Sequence, residues 1–124
     1  MQAPVPGGLL LVDKPAGWTS HDVVAVLRRR LPRGVKVGHT GTLDPLATGL
    51  LAILVGACTK LQSRLQGFDK VYSGTIRLGV KTDTGDLAGK ILSERPVPPL
   101  LLERLRAELA SFVGIVEAPA PAYS

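Results

Sequence analysis

At 124 residues the chain has room for one small domain or for part of a larger one. Its 45% hydrophobic content and mean hydropathy of +0.23 exclude a disordered chain, and only 4% aromatic residues make the core an aliphatic one. Fifteen Lys+Arg against ten Asp+Glu leave a net charge of +5, a balance that suits a polyanionic partner such as nucleic acid.

Residues 1–7 are rich in proline and glycine, and they lack the charged start of a signal peptide. Gly8 to Asp13 is an apolar run closed by Lys14-Pro15-Ala16-Gly17, which predicts a buried strand ending in a turn. Thr19-Ser20-His21-Asp22 supplies helix-start residues before Val23-Val24-Ala25-Val26-Leu27. The helix runs on through Arg28-Arg29-Arg30-Leu31 and stops at Pro32 and Gly34, with Val23, Val26, Leu27 and Arg30 at helical spacing. Its arginines then lie at the carboxyl end, where they complement the helix dipole. Val35 to Val37 reads as a brief strand leading into a glycine-rich loop.

That loop, Gly38 to Gly49, cannot readily be helical, since glycine costs about 1 kcal/mol and proline about 3 in a helix interior. It precedes a second buried strand, Leu50 to Val55, and a short helix over Thr59 to Leu65. Cys58, the only cysteine, excludes an intrachain disulfide and reads as a small buried hydrophobe. With His21 and His39 it lacks the ligand spacing of a zinc site. Lys70 to Leu78 alternates as a half-buried strand does, and Lys81 to Gly89 is rich in turn residues. Lys90 to Glu94 forms another strand, and Pro98 to Leu109 a helix with Leu101, Leu102, Leu105 and Leu109 as its apolar stripe. The end, Ala118 to Ser124, is loop-like and points to truncation from a longer protein. The longest apolar stretch, Gly49 to Cys58, falls short of the roughly 20 residues of a membrane helix. The expectation is a soluble, cytoplasmic protein.

On residue type alone the loop is ambiguous. An aspartate before proline is first a turn residue, His39 a polar loop residue, and Tyr72 a packing residue of its strand. The arginine run reads as a solvated helix end as readily as a phosphate contact.

Four blocks taken together are more specific. Lys14-Pro15-x-Gly17-x-Thr19-Ser20 is followed by Gly38-His39-x-Gly41-x-Leu43-Asp44-Pro45-x-Ala47-x-Gly49-Leu50-Leu51, then Lys70-x-Tyr72, then Thr82-Asp83-Thr84-x-Asp86-x-x-Gly89. Their order and spacing resemble the TruB family of tRNA pseudouridine synthases over residues 8–90. Phe112-x-Gly114 and Pro121-x-Tyr123-Ser124 look like the start of a further family block, although Ala118 and Ala120 depart from its usual residues. The resemblance implies an α+β fold with a mixed, mainly antiparallel sheet and flanking helices. Residues 1–124 would then be the amino-terminal portion of a catalytic domain, without its carboxyl-terminal half or any RNA-binding appendage.

It also implies a reaction: isomerisation of one uridine, U55 of the tRNA T loop, to pseudouridine. The base leaves C1′ and rejoins through C5, with no metal and no cofactor. Asp44 would be the carboxylate acting at the sugar, and Pro45 would restrict the backbone behind it. Tyr72 would stack on the flipped base, and His39 would enter the space the base vacates. Lys14 and Pro15 would support the loop, with Gly38, Gly41 and Gly49 giving RNA room to approach. Arg28, Arg29, Arg30, Arg33 and Lys36 would contact phosphates. The partner expected is the tRNA T stem-loop, bound by a monomer away from any membrane. Two other readings fit the same residues: a non-catalytic RNA-binding fragment, and a relative of the guide-RNA-dependent synthases.

Overall fold

The computed structural model describes residues 7–117. The segment before Gly7 and the tail from Ala118, with the block around Tyr123, lie outside the described residues. The chain divides into two compact units, one up to Val71 and one from Tyr72.

The first unit holds β1 (Gly8–Lys14), α1 (Ser20–Arg30), β2 (Val37–His39), β3 (Gly49–Val55), a 3-10 turn (Gly56–Leu61) and α2 (Gln62–Gln66). Its sheet has the order β1-β3-β2. Both outer strands run antiparallel to β3, in registers from Gly8↔Val55 to Lys14↔Gly49 and from Val37↔Val55 to His39↔Ile53. β1 and β2 therefore point the same way, and α1 lies on the crossover that such an arrangement requires.

Side chains alternate across a strand, and one face of this sheet takes the helix. Leu51 and Ile53 of β3 and Val37 of β2 cluster with Val23 and Val24 of α1, joined by Val12 and Leu27. Leu51, Ile53, Leu54 and Val55 of the central strand are buried as its apolar run predicts, whereas Leu50 is 69% exposed. β1 is not buried: Leu9 and Leu11 are 50% and 66% exposed, because they alternate with Val12 and project from the other face. The helix also buries a stripe different from the expected one. Val23, Val24, Leu27 and Leu31 face the core, while Arg30 is exposed. β2 begins two residues later than its sequence suggests and takes in Gly38 and His39.

α1 starts where the sequence places its caps. The Thr19 hydroxyl accepts from the Asp22 amide at 3.0 Å, and the Asp22 carboxylate accepts from the Thr19 amide at 2.8 Å, a reciprocal capping box. The Thr19 hydroxyl, and then its amide, hold the Asp22 carboxyl below its ordinary value of 3.8. A depressed carboxyl contributes stability above the unfolded value and loses it as the pH falls through the folded one. Thr19→Ala is thus expected to cost about 1 kcal/mol at neutral pH and to flatten the acid-side loss. Denaturant midpoints measured at neutral pH and in acid check both effects.

In the second unit, β4 (Val80–Thr82) and β5 (Ile91–Glu94) form an antiparallel hairpin, followed by α3 (Leu102–Ala110). The turn-rich connection is tied by Asp86, whose Oδ1 accepts from the Thr84 hydroxyl at 2.7 Å and the Ala88 amide at 2.8 Å. These bonds, the hydroxyl's first, hold the Asp86 carboxyl low. Two expectations fail here. No described strand pairs with the segment from Val71 to Arg77, and Val71 and Ile76 are 98% and 76% exposed. An alternating pattern becomes a strand only when a neighbour takes its backbone hydrogen bonds. The leucine stripe of α3 is likewise open, with only Leu105 partly covered. Every strand pair among the described residues is antiparallel, so the mixed component of the expected sheet is not seen there.

Candidate active site

The loop between β2 and β3 is held almost entirely through its backbone. Thr40 continues the ladder, its amide donating to the Ala52 carbonyl at 3.0 Å. Asp44-Pro45-Leu46-Ala47 is a β-turn, closed by the Ala47 amide donating to the Asp44 carbonyl at 2.9 Å. Aspartate at its first position and proline at its second are the residues such a turn favours.

Three residues, at the end of β1, in the turn that follows it and at the start of α1, brace this turn. The Ser20 hydroxyl accepts from the Leu43 amide at 2.9 Å and donates to the Leu43 carbonyl at 3.3 Å. The Gly17 amide donates to the Pro45 carbonyl at 2.7 Å. Gly17 has φ +82°, a conformation that favours glycine. Lys14, wholly buried, donates through Nζ to the carbonyls of Trp18 at 2.6 Å, Pro15 at 3.0 Å and Pro45 at 3.3 Å. An ammonium has three protons, and all three are used.

The carbonyls of Leu43, Asp44 and Pro45 are therefore each hydrogen bonded. The Asp44 carboxylate is not. It is exposed, and among the described residues it accepts no hydrogen bond. A turn aspartate normally spends its side chain on a nearby amide. Here the turn is closed by backbone alone, which leaves a carboxylate presented on a rigid support.

His39 ends β2, and its Nδ1 lies 2.7 Å from the Gly41 carbonyl. A carbonyl can only accept, so Nδ1 carries the proton in this contact and Nε2 is the nitrogen left for another partner. The glycines differ in what they require. Gly49 has φ +112° with open space around it, so its constraint is conformational. A Cβ at Gly38 would lie 3.5 Å from Gln62 and one at Gly41 3.8 Å from Lys70, ordinary contacts. Arg28 donates to the Val37 carbonyl at 3.0 Å, which commits part of its guanidinium to the edge of β2. Arg29, Arg30, Arg33 and Lys36 are exposed.

Lys14, Pro15, Gly38, His39, Gly41, Asp44 and Gly49 all belong to the first unit, and Tyr72 opens the second, 68% exposed. The part of Ser20 in holding the loop was not visible in the sequence, where it reads as one of several helix-start residues. The hints are its place at the end of the block Lys14-Pro15-x-Gly17-x-Thr19-Ser20 and the two successive hydroxyl residues, Thr19 and Ser20, where a single cap suffices. Among the described residues no group of His, Cys, Asp and Glu is placed to hold a metal ion, and no helix is long and apolar enough to cross a membrane.

Comparison with known families gives this arrangement a context. Residues 28–124 match the family described as TruB family pseudouridylate synthase (N terminal domain), and the chain belongs to that family. Over 117 residues, 94% of this chain, it is 50% identical to tRNA pseudouridine synthase B of Opitutus terrae and 51% identical to that of Xanthomonas campestris pv. campestris. The same span is 50% identical to tRNA pseudouridine synthase B of Trichormus variabilis. The matched region covers 48%, 38% and 39% of the Opitutus, Xanthomonas and Trichormus proteins, so the chain spans half or less of these relatives' length.

Proposed function

We propose that these residues are the amino-terminal portion of the catalytic domain of a tRNA uridine isomerase, and that Asp44 is its catalytic carboxylate. The observation that carries this is the free Asp44 side chain on a turn whose neighbouring carbonyls are all bonded. A group that must meet a sugar carbon gains from being fixed in advance, and a carboxylate spared from capping keeps its oxygens for substrate.

The reaction is an isomerisation: the bond between C1′ and the base nitrogen N1 breaks, a bond from C1′ to C5 forms, the C5 proton is lost and the freed N1 takes up a proton. No electrons are gained or lost. Asp44 acts at the sugar as nucleophile or base. The target base must first leave its stack, at a cost of a few kcal/mol, and Tyr72 offsets that cost by stacking, worth about 1–3 kcal/mol. His39, held through Nδ1, enters the vacated space. Arg29, Arg30, Arg33 and Lys36 attract phosphates, with an affinity that falls as salt rises, and Arg28 shares this role with its strand contact.

The substrate we infer is the tRNA T stem-loop, with U55 as the target, acted on by a monomer. The relatives reported above all carry tRNA in their names, which favours this over a guide-RNA-dependent enzyme. The full-length chain, incubated with unmodified tRNA in the presence of a chelator, is expected to yield pseudouridine at one T-loop position. Conversion that needs an accessory RNA, or none at all, counts against the reading. Turnover by residues 1–124 alone separates a catalytic segment from an RNA-binding fragment.

A further inference from the structure

We propose that Ser20 is a positioning residue for Asp44, acting through the backbone of Leu43; this rests on the assignment of Asp44 made above. The side chain is 2% exposed and makes both of its bonds to one residue, accepting from the Leu43 amide at 2.9 Å and donating to the Leu43 carbonyl at 3.3 Å. The Leu43 carbonyl belongs to the peptide plane that ends at the Asp44 nitrogen. Holding that carbonyl fixes the orientation of the plane, and with it the direction in which the Asp44 side chain leaves the loop.

The support beneath Ser20 is itself ordered. It is the first residue of α1, directly after Thr19, and the Thr19–Asp22 capping box fixes the backbone on which it stands. Lys14 and Gly17 hold the other side of Asp44 through the Pro45 carbonyl. The two supports act on different peptides, because none of the Lys14 or Gly17 donors reaches Leu43. Losing Ser20 thus frees the peptide before Asp44 while the Pro45 side stays anchored. A hydroxyl that only filled a buried corner would not need to engage the amide and the carbonyl of the same residue.

The test uses the full-length chain with tRNA, comparing Ser20→Ala, Ser20→Thr and Asp44→Asn. A displacement of about 1 Å in a reacting group costs up to roughly a hundredfold in rate. Ser20→Ala is accordingly expected to lower kcat about ten- to a hundredfold with KM within about threefold of wild type, the pattern of a lost transition-state interaction. Ser20→Thr, which keeps the hydroxyl, restores most of the rate. Wild-type kcat in Ser20→Ala overturns the proposal. So does a loss of rate that is matched by lost RNA binding and a lowered melting temperature, which marks a merely structural residue, and so does a Ser20→Thr variant as slow as Ser20→Ala. Asp44→Asn keeps the two levels apart: if it turns over at the wild-type rate, the fault lies with the assignment of Asp44.

Discussion

Replacing Lys14 by methionine is expected to destabilise the first unit by about 2–4 kcal/mol and to slow turnover with it. Methionine follows the lysine stem as far as Cε but has no Nζ and donates nothing, so the carbonyls of Pro15 and Trp18 lose their Lys14 partner, and Pro45 keeps only Gly17. Hydrogen bonds from a charged donor contribute about 1.5–3 kcal/mol each, partly offset by the expense of burying an ammonium. The net effect stays unfavourable because the three oxygens remain where the fold puts them. Lys14→Arg is not expected to rescue it, since a planar fork cannot place three donors on oxygens gathered around one point. Denaturant midpoints and kcat for both variants check the claim. A Lys14→Met protein as stable and active as wild type would show that the loop does not depend on the Lys14 hydrogen bonds.

How far the sequence announced this architecture depends on how local each determinant is. The start of α1 was legible because a capping box is complete within four residues, Thr19 to Asp22. β3 was legible because a strand paired on both edges and buried over Leu51 and Ile53 to Val55 reads as a continuous apolar run. Burial in β1 was misread for the converse reason: a strand with one open face carries leucines on both. The segment Lys70 to Leu78 has the alternation of a strand, but alternation says nothing of whether a partner lies alongside.

The site divides in the same way. Glycine and proline mark the loop, and the spacing of the four blocks marks Asp44 within it. The burial of Lys14 was hidden, since a lysine before proline at a strand end reads as a solvated turn residue. Only the β1–β3 register, which sets Lys14 against Gly49, carries it beneath the Pro45 carbonyl. The brace from Ser20 to Leu43 spans 23 residues and follows from α1 crossing the sheet. His39 was expected in the loop, yet β3 offered it a place in the ladder.

The same geometry makes Asp44→Asn informative. Asparagine keeps the shape of the side chain and removes its charge. The Asp44 carboxylate takes no hydrogen bond among the described residues, so stability is expected to stay within about 0.5 kcal/mol of wild type. RNA affinity is expected to hold too, because the residues proposed to contact phosphates are others, Arg28 to Arg30, Arg33 and Lys36. Only the chemical step suffers, by a factor above roughly a thousand, or about 4 kcal/mol of transition-state stabilisation. The decisive measurement is single-turnover conversion of unmodified tRNA by excess full-length protein, wild type beside Asp44→Asn, with pseudouridine mapped by position. The expected result is conversion of one T-loop uridine by the wild type and almost none by the equally folded, equally RNA-bound variant. Conversion by Asp44→Asn at the wild-type rate would contradict it.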